Sequence, residues 1–156
     1  TGTSLAIGAA LLGLDQASKL YIENNLPLYY SIEIVPNLFN ITHIRNTGVA
    51  FGLFAGEKNI IGTLFFLITS GVAVGVISYF YYRLPSNHIL KRLALLSVLG
   101  GAIGNMIDRI RLREVIDFID LHWYNYHWPA FNIADSCITI GLGLFILEAL
   151  ITRDKG

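Results

Sequence analysis

The chain is predicted to fold as a membrane protein, mainly α, with four transmembrane helices, a small extracytoplasmic β-sheet and an interfacial lid segment. Three observations lead there. Of 156 residues, 54% are hydrophobic and 14% charged, and the mean hydropathy is +0.57, which is too apolar for an ordinary soluble domain of this size. Apolar runs of bilayer length recur along the chain. Between the first two, residues 24–59 change character, with Pro27 and Pro36 as breakers and period-two alternation in SIEIV and LFNITHIR. All 156 residues read as a single integral membrane domain.

The first span covers about residues 3–22 and turns polar at Asp15, Gln16 and Lys19. Asp15 and Lys19 are spaced i, i+4 and can pair, either as an ion pair at the headgroup level or as support for a site. The run continues into DQASKLY without a small-residue cleavage site, so no cleavable leader is expected. Residues 24–59 should form the sheet and the lid. RNTG at residues 45–48 is a turn signal, and VAFGLFAG after it is apolar but too short to span. Asn46 in that turn offers donors and an acceptor at the membrane boundary.

The second span, about residues 60–82, carries no charge and places Gly71 and Gly75 on a small-xxx-small face for close helix contact. It ends in an aromatic belt and Arg83, and the following connector with Lys91 and Arg92 is expected on the cytoplasmic side. The third span, about residues 89–107, gathers Gly100, Gly101 and Gly104 near its end. The fourth runs over about residues 133–151, so both termini share the cytoplasmic side. The intervening RLREVIDFIDLHWYNYHWPAF, rich in Trp and Tyr, suits the outer interface. His122 and His127 within it lack a HExxH-like partner and read as interfacial residues, not zinc ligands. The single cysteine, Cys137, reads as a small buried hydrophobe.

With 11 basic and 11 acidic residues the formal charge is zero, so no field of one sign suggests nucleic acid. Three aspartates matter more: Asp108, Asp117 and Asp135 flank membrane-length apolar runs, where charges are costly. The third helix is expected to end near Asp108 and the fourth to begin near Asp135, so the carboxylates share one depth. Asn105, Asp108 and Arg109 form one polar patch at i, i+3, i+4. Asn132 and Asp135, three apart, could simply cap a helix. Capping leaves Asp117 unexplained, inside the apolar VIDF run. Two carboxylates in a partly desolvated site keep one proton between them, which supplies an acid and a base for peptide hydrolysis with no metal, serine or thiol. Spacing alone leaves open which two of the three aspartates pair.

The ordered motifs DQASK (residues 15–19), RNTGVAFG (45–52), GGAIGNMIDR (100–109), EVIDFID (114–120) and PAFNIADS (129–136) span nearly the whole chain. With them the sequence closely resembles the bacterial signal peptidase II family of intramembrane aspartyl proteases. The resemblance implies a catalytic dyad of Asp117 and Asp135, with Asn46, Gly48, Asn105, Asp108, Arg109, Asn132 and Ala134 binding substrate or supporting the dyad. It implies a supporting or structural role for Asp15 and Lys19, and no cofactor or metal. It further implies a diacylglyceryl-prolipoprotein substrate cleaved before its lipidated cysteine, and a multi-pass inner-membrane enzyme, expected to be a monomer among membrane lipids, with its site near the extracytoplasmic face. The competing functions are a small ion or proton-coupled transporter and a metal-dependent membrane hydrolase. Acids gathered at one boundary and not at the midplane count against the first, and chelator sensitivity would mark the second.

Overall fold

A computed structural model describes residues 2–48 and 60–153. Its elements in chain order are α1 (Gly2–Asn25), β1 (Ser31–Val35), β2 (Phe39–Asn46), α2 (Ile60–Arg83), α3 (Ile89–Leu112), β3 (Val115–Trp123), β4 (Tyr126–His127) and α4 (Ile133–Arg153). The expected strands in SIEIV and LFNITHIR form, as does one through the VIDF run, in an antiparallel sheet of order β1-β2-β3-β4. The expected lid within residues 49–59 lies outside the described residues.

Among the described residues three helices are long and apolar enough to cross a membrane: Ile60–Arg83, Ile89–Leu112 and Ile133–Ile151. The central one is α3, which packs against each of the other helices. Apolar area gives little drive for helix association inside lipid, so close approach depends on small residues. A Cβ on Gly101 would fall on the Ala134 carbonyl of α4, and one on Gly141 would stand 2.7 Å from the Ala94 carbonyl. Gly71 and Gly75 do not act in this way. Among the described residues no other element comes within 4 Å of where their Cβ atoms would be, so no described helix packs closely at Gly71 or Gly75.

The third helix runs five residues beyond the expected end at residue 107 and stops at Leu112, where Arg113 takes a left-handed φ of 63°. Arg109 and Arg111 fall in its last turn, where cations suit the negative end of the helix dipole. Asp108 is therefore inside the helix, not at its end. At its other end, Lys91 and Arg92 belong to the first turn of α3 and not to a free connector. Arg92 is buried, donates to the Leu84 carbonyl at 2.9 Å and stacks on the Tyr81 ring at 4.2 Å.

The sheet is fastened to the bundle by a cluster of Ile22 from α1 and Leu26 just beyond its end with Ile116 and Phe118 from β3. Each such buried side chain contributes roughly 1.5–3 kcal/mol. Val115 to Phe118 are all buried, because one face of β3 meets α1 and the other meets the polar groups between α3 and α4. In β2 the register shifts between Ile41 and Ile44, after which Ile44 opposes Asp117 and Asn46 opposes Val115. That irregularity re-aims the end of β2 toward the site.

Candidate active site

Asp117 is supplied by β3 and is 2% exposed. Its Oδ1 accepts from Asn132 Nδ2 at 2.7 Å and its Oδ2 from Asn46 Nδ2 at 2.9 Å. Burial pushes its carboxyl up to about 6; the Asn46 hydrogen bond opposes this shift and the neighbouring Asp135 charge adds to it. Asp135 is half-buried at the start of α4. Its Oδ1 accepts from Asn105 Nδ2 at 2.8 Å, and its Oδ2 from the Asn132 backbone N–H at 3.2 Å.

Three asparagines thus face the two carboxylates, and each is held in one orientation by a group that can only donate. Lys19 Nζ donates to Asn105 Oδ1 at 2.9 Å, the Asp135 N–H to Asn132 Oδ1 at 2.9 Å, and the Gly48 N–H to Asn46 Oδ1 at 2.8 Å. With each amide oxygen committed, each NH2 must point at an aspartate. Capping and site-building are therefore the same hydrogen bonds at Asn132 and Asp135.

Asp108 belongs to a second layer. It is fully buried, with Lys19 Nζ 3.0 Å from its Oδ2 and Gln16 Nε2 3.2 Å from its Oδ1. Lys19 also pairs with Asp15 at 2.9 Å, and Asp15 Oδ1 accepts the Ala134 N–H at 2.8 Å. The Asp15–Lys19 pair is buried inside the protein, in contact with Asp108 and the backbone of Ala134. Arg109 donates to the Asn105 carbonyl at 3.3 Å and lies 5.0 Å from the centroid of the Phe66 ring, within electrostatic reach of Asp135, Asp117 and Asp108.

Two participants escaped the sequence reading. Gln16 donates to Asp15, Asp108 and the Gly104 carbonyl, and its adjacency to Asp15 was the available signal. Phe66 on α2 packs where a Cβ on Gly48 would be, 2.5 Å from Cε2, at a backbone φ of 80° that favours glycine. Nothing distinguishes Phe66 from Phe65 in sequence.

A cavity of about 370 Å³ bounded by Trp128, Phe131, Asp135, Ser136, Thr139 and Ile140 opens beside Asp135. His122 and His127 make no hydrogen bond to Asp108, Asp117 or Asp135; their rings stack at 4.6 Å across β3 and β4, and His127 Nδ1 is 2.8 Å from Asp120. Among the described residues no three His, Cys, Asp or Glu side chains converge as metal ligands.

A family model for signal peptidase (SPase) II matches residues 7–151. The lipoprotein signal peptidase of Syntrophotalea carbinolica is 46% identical over 143 residues, which cover 92% of this chain and 88% of that protein. That of Geobacter sulfurreducens is 43% identical over 145 residues, covering 93% and 89%. A solved bacterial membrane enzyme, determined by the in meso method at 1.9 Å resolution, superposes with a TM-score of 0.85 at 35% identity, covering 96% of this chain and 94% of that one.

Proposed function

The chain belongs to the signal peptidase II family, and from that premise we propose how it removes the signal peptide from a prolipoprotein: Asp117 and Asp135 are the catalytic dyad. The observation that carries this reading is the pair of carboxylates joined through Asn132 and flanked by oriented amides. Asp108 is committed to Lys19 and Gln16 with no exposed surface, which favours it as support and not as a dyad member.

The surroundings separate the two roles. Asp117, held largely protonated by burial below pH 6, is the acid. Asp135 has the Asn132 N–H and the positive end of the α4 dipole facing its carboxylate and is the base. Asp135 takes a proton from water as the oxygen attacks the scissile carbonyl, while the Asp117 proton hydrogen-bonds the developing oxyanion. On collapse the C–N bond breaks and a proton passes to the leaving amine. Arg109, within electrostatic reach of both acids, and Asn46, hydrogen-bonded to Asp117, position the substrate backbone.

The substrate is a diacylglyceryl-modified prolipoprotein, cut before its lipidated cysteine. Acyl chains anchored in the outer leaflet would bring that bond to the depth of the carboxylates, and the cavity beside Asp135 offers an apolar approach. The segment 49–59, which begins next to Gly48, serves as the lid. The first helix is the fourth span: at 24 residues it is about 36 Å long, and Asp15 and Lys19 are neutralised inside the protein. Both termini then face the cytoplasm, the enzyme working as a monomer in the inner membrane.

The test is cleavage of a diacylglyceryl-modified prolipoprotein by purified protein in detergent with excess chelator. The parent should cleave it, whereas folded Asp117→Asn and Asp135→Asn should not. An active Asp117→Asn enzyme would sink the assignment, and chelator sensitivity would favour metal-dependent hydrolysis.

A further inference from the structure

Lys19, Asp15 and Asp108 are 0%, 1% and 0% exposed. Buried ion pairs of this kind rarely add stability over apolar packing, so their other contacts bear on why three charges are kept here. Asp15 Oδ1 accepts the N–H of Ala134, the residue before Asp135, at 2.8 Å. Asp108 Oδ2 accepts the N–H of Ile116, the residue before Asp117, at 3.3 Å. One ammonium spans both carboxylates, with Lys19 Nζ 2.9 Å from Asp15 Oδ2 and 3.0 Å from Asp108 Oδ2. Gln16 Nε2 ties the same two side chains at 3.0 and 3.2 Å. The space for Asp15 exists because residue 104 is glycine, where a Cβ would stand 2.5 Å from Asp15 Oδ2.

We propose that Asp15, Lys19 and Asp108 form a clamp that holds the backbone immediately before each proposed dyad aspartate and so sets the separation and orientation of Asp117 and Asp135. These are positioning residues, which need not touch substrate. Lys19 acts twice, since its third contact fixes the Asn105 amide on Asp135. The inference rests on the dyad reading above.

The separation matters because proton sharing between two acids depends on their distance. When the clamp loosens and the carboxylates part, loss of the second proton from the pair meets less repulsion, so the basic limb of the pH–rate profile moves down toward the acidic limb. The charged groups around the dyad are Asp15 and Lys19 from α1 and Asp108 and Arg109 from α3. Lys19→Met alone would remove a positive charge that favours ionised Asp117. Asp15→Asn/Lys19→Met removes one charge of each sign and isolates the geometry.

The experiment compares the pH dependence of kcat and KM for the parent, Asp15→Asn/Lys19→Met and Asp15→Asn on diacylglyceryl-prolipoprotein, with folding checked by thermal denaturation. The double variant should lose about tenfold or more in kcat, keep KM within about twofold, and show a narrowed profile. Asp15→Asn, which is isosteric, should narrow it in the same direction by less, and it decides the matter where the double variant does not fold. A purely structural role would scale the profile without changing its shape, and a parental shape in folded variants overturns the clamp. Asp117→Asn and Asp135→Asn are run alongside: if either is active the dyad reading itself fails, whereas inactive dyad variants with a parental profile in the others discard only the clamp.

Discussion

Asn132 and Asp135 close a reciprocal pair of hydrogen bonds at the start of α4: the Asn132 side-chain oxygen accepts the Asp135 N–H at 2.9 Å, and Asp135 Oδ2 accepts the Asn132 N–H at 3.2 Å. This is a capping box whose remaining donor, Asn132 Nδ2, reaches Asp117 Oδ1 at 2.7 Å. One side chain starts a helix and joins two acids.

Cap and site can be separated at Asn132. Asn132→Asp keeps the capping oxygen but loses the donor to Asp117 and adds a third carboxylate, so cleavage should be abolished with the loss of stability held to about 1–3 kcal/mol. Asn132→Ala loses the cap as well, which costs about 1 kcal/mol in addition. Denaturation midpoints alongside cleavage rates check both.

The raised carboxyl of Asp117 makes a signed prediction about stability. Its folded value of about 6 lies above the ordinary 3.8, so the folded state prefers the protonated acid. No penalty exists below 3.8; it grows as pH rises to 6 and is then constant, at about 3 kcal/mol. Asp117→Asn should gain stability relative to the parent between pH 4 and pH 7. A stability difference independent of pH would refute the shift.

Catalysis should carry the same group. The basic limb of kcat/KM reports the free enzyme and should fall with an apparent pKa near 6. Substrate that excludes water should raise the acid further, so the basic limb of kcat should lie at higher pH.

Gly48→Ala places a Cβ against Phe66 at a backbone angle hostile to L side chains. It should cost about 1–3 kcal/mol in stability and, by moving the N–H that orients Asn46, lower kcat. Phe66→Ala should relieve part of the steric cost and none of the backbone strain, a coupling that a double-mutant cycle measures.

His127→Ala bears on the sheet and not the site. The carboxyl of Asp120 is opposed by burial but held below its ordinary value by hydrogen bonds from His127 and Asn40. That stabilisation is present above the ordinary carboxylate value and lost as pH falls through the lowered one. His127 is half-exposed, so its removal should cost less than about 1 kcal/mol, confined to pH values above that range, with cleavage unchanged.

Sequence by itself determined three of the four expected membrane-length runs and the strands in SIEIV and LFNITHIR, because apolar length and period-two alternation are local properties written in adjacent residues. It also named the polar residues that meet at the candidate site, since a charge beside an apolar run is conspicuous wherever it occurs. It misjudged Gly71 and Gly75, because a small-residue face shows that helices can approach without showing whether a partner is present. It stopped α3 early, because a polar patch resembles a helix end when its burial partners are unseen. Only the tertiary structure decided that Asp108 turns to Lys19 while Asp117 and Asp135 share Asn132. Nor could spacing reveal that Asp15 reaches the backbone before Asp135. The reason is physical: a carboxylate's role depends on which donors surround it, and those donors come from α1, β2, α3 and α4, up to 119 positions apart.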